Sequence, residues 1–266
     1  YETQGLPDTV YEIRAAEDVV TPDGTLRYSK GELVDTVTTD EMGFAESKEL
    51  YLGKYEVKEV KAGYGMVLSD EVHTVELIYA GQNVAVTETA TSFVNERQKV
   101  EVSLEKALET SELFGVGNND EIKNISFGLF ADEELVSASG TSIPKDGLIE
   151  IITLDENGKA TVKTDLPLGS YYVKELATDE HYQLSSEKYP VVFEYAGQET
   201  ATVAIAVNNG EPMENKLIYG SVSGKKVDEN GEGLGGALIG LFKSDDVEFT
   251  EENALMTAVS GDDGSF

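Results

Sequence analysis

The stretch LYLGKYEVKE, residues 50–59, recurs as LPLGSYYVKE, residues 166–175, with L-x-L-G-x-Y-x-V-K-E in common. An internal repeat constrains the fold more than composition does, because each copy must form one structural unit that can be set beside the next. Side chains alternate along an extended strand, so Tyr55, Val57 and Glu59 share a face, as do Tyr171, Val173 and Glu175. Both copies therefore direct a carboxyl group among apolar side chains.

The shared register runs well past this strand. Tyr79-Ala80-Gly81-Gln82 follows Glu59 at the distance at which Tyr195-Ala196-Gly197-Gln198 follows Glu175. In FVNERQKVEVSLEK and MENKLIYGSVSGKK, Asn95 precedes Lys106 by eleven residues and Asn215 precedes Lys226 by eleven. Phe127-Gly128-Leu129-Phe130 matches Ile239-Gly240-Leu241-Phe242, and Tyr11-Glu12-Ile13 takes the same slot near the start. Three units are expected, at 1–96, 97–216 and 217–266. In this register the lysine belonging with Tyr11 falls upstream of Tyr1, so the first unit is expected to lack its first strand. The third is expected to hold only an N-terminal half. The chain reads as a segment of something longer.

Val, Thr and Tyr runs with every-other-residue patterning recur between Gly, Asp and Asn clusters, as in KATVKTDLPLG, which predicts a nearly all-β chain. At 266 residues each of two or three units can bury a core. Fifty-one acidic against twenty basic residues give a formal net charge of −31, which would repel nucleic acid. There is no cysteine, so neither a disulfide nor a thiolate metal site is available. No apolar run approaches the length of a membrane span.

Four features together resemble the B-type repeat domains of Gram-positive collagen adhesins and pilins. They are a lysine before the turn Asp228-Glu229-Asn230-Gly231, the G-L-x-G-A-x-I-G-L-F run at 233–242, the L-G-x-Y-x-V-K-E strand and the late asparagine. The resemblance covers the whole chain and implies prealbumin-like (transthyretin-like, Ig-like) β-sandwiches in an elongated tandem array. It also implies a spontaneous intramolecular isopeptide bond between a first-strand lysine and a last-strand asparagine, promoted by a buried acid. Carried over, these are Lys106, Asn215 and Glu175. Glu59 with Asn95 makes a half-site without its lysine, and Lys226 is a crosslink candidate without its asparagine. Lys225 competes with Lys226, although Val222, Gly224 and Lys226 share a face and favour the latter.

The chemistry can also be argued from the residues. Lys106 continues the face of Val100, Val102 and Leu104, so its amine is expected in the core, where desolvation favours the neutral nucleophile. A glutamic acid beside the Asn215 amide can polarise its carbonyl and pass a proton to departing ammonia. Folding would supply the effective concentration, in a single turnover.

Other signals point to ordinary structure. Asp155-Glu156-Asn157-Gly158 and Asp228-Glu229-Asn230-Gly231 lack the downstream ligands of a calcium loop and read as turns, so no metal or cofactor is expected. The segment 113–124, eight residues longer than its counterpart in the third copy, reads as a surface insertion. His73 and His181 have no nucleophile motif beside them, so a turnover enzyme is not expected.

The favoured reading is a stalk or pilin-like segment of an extracellular, cell-surface protein, anchored to the cell wall through parts outside this chain. Its immediate partners would be neighbouring repeats. The alternative is an adhesin module gripping a host protein or polysaccharide, against which stands the lack of a concentrated aromatic patch.

Overall fold

The computed structural model describes residues 4–136 and 140–266. In the first repeat β1 (Val10–Ala15), β4 (Leu33–Thr38), β5 (Gly53–Lys61) and β6 (Val72–Leu77) form one antiparallel sheet in the order β4-β1-β5-β6. A small hairpin, β2 (Val19–Val20) with β3 (Leu26–Tyr28), lies beside it. Ile13, Ala15, Val19, Val34 and Tyr55 make a small core.

The second repeat is a two-sheet sandwich. β8 (Ser126–Ala131), β11 (Leu148–Thr153), β13 (Gly169–Ala177) and β14 (Lys188–Phe193) form a sheet ordered β11-β8-β13-β14, the counterpart of the first-repeat sheet. The short pair β9 (Leu135–Val136) and β10 (Ser142–Ile143) matches β2 and β3. The second sheet is built around β7 (Lys99–Leu108), with β12 (Lys159–Val162) antiparallel on one side. On the other side β15 (Thr202–Ala206) and then β16 (Met213–Asn215) run parallel to β7, one after the other, separated by a corner at Val207–Gly210. The inner faces of the two sheets bury a core that includes Val102, Leu129, Tyr171, Val173 and Phe193. Residues 217–266 contribute one hairpin, β17 (Leu238–Leu241) with β18 (Met256–Val259), plus isolated bridges.

Gly169 opens β13 where a Cβ would lie 2.4 Å from the end of the Leu135 side chain, so a larger residue would displace that leucine of β9. Tyr171 and Tyr55 are wholly buried, and each hydroxyl donates to a backbone carbonyl four residues earlier, Pro167 and Tyr51. Valine fills core, lysine faces outward, and glutamate enters the interior.

Among the described residues no strand occupies in the first repeat the place that β7 holds in the second. The segment around Val86, which aligns with β15, is not a strand, and Val84 and Val86 are exposed. A strand needs a neighbour to receive its backbone hydrogen bonds, and β15 has β7.

The first and second repeats meet through specific bonds. Ala62 N donates to Gln198 Oε1 (2.9 Å), Leu68 N to the Gln198 carbonyl (2.9 Å), and the Tyr195 hydroxyl to the Met66 carbonyl (2.9 Å). Tyr64 packs edge-on against Tyr195. No hydrogen bond or ring contact joins the first repeat to 217–266 among the described residues.

Candidate crosslinking site

Along β7 the inward residues are Val100, Val102, Leu104 and Lys106, each at most 5% exposed. The alternation that buries three hydrophobic side chains buries the lysine with them. In β16, Met213 and Asn215 point inward and Glu214 outward, and the parallel register sets Met213 opposite Lys106 and Asn215 opposite Leu108. The long Lys106 side chain closes that two-residue offset, and its Nζ lies 2.7 Å from Asn215 Oδ1.

Glu175 comes from the facing sheet. β13 presents it inward in register with Phe127 of β8. Asn215 Nδ2 donates to Glu175 Oε1 (2.8 Å) and Oε2 (3.0 Å), and Lys106 Nζ is 3.7 Å from Oε1. The three residues do not share one sheet. Two come from the β7 sheet and one from the β13 sheet, so the cluster spans the sandwich interior.

Burial holds the Lys106 amine below the ordinary lysine range, the nearby Glu175 carboxylate opposing this only in part. A lysine so placed has access to its neutral, nucleophilic form. The Asn215 amide turns its carbonyl oxygen toward the amine and its nitrogen toward the carboxyl group.

Two further groups fix this arrangement and were not singled out in the sequence. The Thr178 hydroxyl accepts from Asn215 Nδ2 at 2.9 Å, and Ser185 N donates to Glu175 Oε2 at 2.7 Å. The serine was legible as a repeat feature, because Ser69 stands ten residues after Glu59 and its N donates to Glu59 Oε2 at 3.0 Å. The threonine was not, because Ala62 occupies its place in the first repeat.

The first repeat assembles the other two members. Glu59 is fully buried and Asn95 Nδ2 donates to both its carboxylate oxygens (2.8 Å each) and to the Val67 carbonyl (2.9 Å). No lysine amine reaches this pair among the described residues. Tyr11 lies opposite Glu59 in the sheet; burial, and secondarily the Glu59 carboxylate, push its phenol up to about 12. Lys226 is exposed, its Nζ donating to the Val227 carbonyl, and Lys225 is exposed too.

The remaining sequence candidates are structural. Asp155 and Asp228 accept backbone N–H groups across their own turns. In the insertion, Glu121 is buried and accepts from Gly117 N (3.0 Å), Asn119 N (2.6 Å) and Asn119 Nδ2 (3.1 Å). Burial alone would raise its pKa, but these donors together hold the carboxyl down at about 2. His181 pairs with Asp179, which raises its pKa, and His73 stacks on Phe93. No cluster of His, Asp and Glu suited to a metal ion occurs among the described residues, and no helix there is long and apolar enough to cross a membrane.

Comparison with known proteins accords with this architecture. The family model described as the SpaA prealbumin-like fold domain matches residues 2–92 and 114–209. Among solved structures, the TIE protein of Bacillus anthracis is 21% identical with a TM-score of 0.60. The match covers 100% of this chain and 41% of that one. This chain thus spans less than half of that relative. The minor pilin GBS52 of Streptococcus agalactiae is 18% identical, covering 86% of this chain and 89% of that one, with a TM-score of 0.31. A C-terminal fragment of the pilus adhesin SpaC of Lactobacillus rhamnosus GG is 12% identical, covering 81% and 91%, with a TM-score of 0.37. Curated proteins give no match.

Proposed function

The chain belongs to the SpaA prealbumin-like fold domain family, and from that premise we propose that it is a load-bearing stalk segment of a bacterial cell-surface protein, locked by one self-formed Lys106–Asn215 isopeptide bond. The observation that carries this reading is the buried contact of Lys106 Nζ with Asn215 Oδ1 at 2.7 Å, with Glu175 on the amide nitrogen. The units divide at 96/97 and 216/217, and only the middle one contains the full triad.

In the reaction the neutral Lys106 amine attacks Asn215 Cγ. The Nζ–Cγ bond forms, the Cγ–Nδ2 bond breaks, and the amine proton reaches the departing nitrogen through Glu175, so that ammonia leaves and an amide remains. Hydrogen-bonded positioning replaces a bimolecular encounter and supplies roughly 7 kcal/mol or more of the barrier. The product also removes a buried amine that would otherwise charge beside Glu175 at a cost of several kcal/mol, roughly.

The bond would join residues 109 positions apart. On the loop-closure argument used for disulfides, such a bond stabilises by roughly 4–5 kcal/mol. A pull on the chain ends would pass from β7 directly to β16, bypassing the strands between. Single-molecule stretching tests both parts of the proposal. The segment from Lys106 to Asn215 should contribute no extension on unfolding, whereas a stretch of its full length, roughly 3.5 Å per residue, would show that neither bond nor mechanical role exists.

A further inference from the structure

The two edges of the β13 sheet are not alike. β14 carries Lys188 and, in its middle, Pro190, which breaks the row of N–H donors on its outer side. β11, the opposite edge, pairs with β8 alone among the described residues, so the backbone groups along its other side face solvent. It reads Leu148-Ile149-Glu150-Ile151-Ile152-Thr153, with one charge and neither proline nor glycine.

That charge is turned back into its own chain, because the Glu150 carboxylate accepts from the Thr164 hydroxyl. The first repeat does the same. Asp35, opposite Ile13 of β1 as Glu150 is opposite Leu129 of β8, accepts from Lys48 N at 2.9 Å. The outward residues differ. Where β4 has Thr36, opposite Glu12, β11 has Ile151, opposite Gly128, and Ile151 and Leu148 are 58% and 50% exposed. An apolar, β-branched edge without an outward charge is a template for another strand.

We propose that β11 pairs antiparallel with β11 of a second copy of this chain, about a two-fold axis passing between the two Ile151 residues. Such self-pairing satisfies the outer backbone groups of both copies in one contact and sets each exposed Ile151 against its equivalent. Reversal of direction also brings the Lys145 end of each strand beside the Glu156 end of the other, and both of these oppositely charged residues are exposed. The contact is isologous and closes at two copies. The register shift between Leu148 and Glu150 leaves only 150–153 regular, and each copy carries a net charge of −31, so the dimer is weak and strengthens as added salt screens the repulsion. β11 flanks the repeat that has both sheets, and the contact needs neither neighbouring repeat.

Sedimentation velocity on the full chain in moderate salt, over a series of concentrations, should show a monomer–dimer equilibrium and nothing larger. Ile151→Glu sets two carboxylates opposite each other at the axis and should raise the dissociation constant about tenfold or more, whereas Val192→Glu, at a 51% exposed site on β14, should leave it unchanged. The chain has no cysteine, so a single thiol reports the register. Under mild oxidation Ile151→Cys should give a disulfide-linked dimer about tenfold faster than Val192→Cys. A parent that stays monomeric at every concentration, an Ile151→Glu chain that dimerises as the parent does, or equal oxidation rates for the two thiols would each overturn the proposal. None of these outcomes bears on the Lys106–Asn215 bond, whose readout is the mass of a single chain.

Discussion

Lys106 Nζ lies 2.7 Å from Asn215 Oδ1 although the two residues are 109 positions apart. They meet because β16 runs parallel beside the end of β7, with the intervening chain making up the rest of the sandwich. A bond between them would fasten the first strand of that sandwich to its last.

Intact mass gives the most direct test. The purified chain should be lighter than its sequence by one ammonia, neither none nor two, and a digest should yield the peptides of Lys106 and Asn215 as one branched species. Glu175→Ala should restore the full sequence mass and lower the unfolding temperature of the second repeat by roughly 10–20 °C. Retention of the deficit in Glu175→Ala would remove the glutamate from the mechanism.

The first repeat should add nothing to this deficit. Asn95→Ala leaves the loss at one ammonia, since no lysine reaches the Glu59–Asn95 pair. It should destabilise the first sheet by about 1–3 kcal/mol, because buried Glu59 loses its side-chain donor. Thermal unfolding together with intact mass separates the two effects.

In the proposed reaction Thr178 would be a positioning residue. Its hydroxyl accepts from Asn215 Nδ2 and so favours the amide orientation that turns Oδ1 to Lys106. Thr178→Val should slow ammonia loss about five- to tenfold, the kinetic equivalent of one hydrogen bond of about 1 kcal/mol. Thr178→Ser should react at the parent rate. A time course of mass after pulsed synthesis reads this, and equal rates in all three chains would leave the threonine a packing residue only.

The insertion should be acid-sensitive through Glu121. Its carboxyl is held at about 2, below the ordinary glutamate value of 4.5, so the native state binds fewer protons than the unfolded chain between these values. The stabilisation is fully present above about pH 4.5 and disappears as pH falls toward 2. The stability gap between the parent and Glu121→Gln should close over that window, as followed by denaturant unfolding. A gap independent of pH would show that the carboxylate form is not what the loop recognises.

Gln98 ties the base of β7 to the turn that contacts the first repeat. Its amide donates to the Gly197 and Thr200 carbonyls (3.0 and 2.7 Å) and accepts from Ala196 N (2.8 Å), all from a side chain almost wholly buried. Gln98→Ala should cost about 2–3 kcal/mol and accelerate amide exchange at Ala196. Unchanged exchange there would mean that the turn holds its shape without the glutamine.

Alternation along two strands determined much of this protein in advance. It put Lys106 with Val102 and Leu104, and Glu175 with Tyr171 and Val173, on inward faces, because period-two side-chain direction is local backbone geometry and survives in any sheet. Repeat spacing in the same way marked Asn215 and the half-site of Glu59 with Asn95.

What alternation could not say is which sheet each face would look into. Only tertiary structure put β7 and β16 in one sheet and β13 in the other, so that the cluster bridges the interior. Strand pairing over long separations depends on packing of the whole sandwich, and no local signal encodes it. The same holds for Thr178, whose side chain finds Asn215 only after β13 and β16 have been brought together, and for Tyr195 and Gln198, whose partners lie in another repeat.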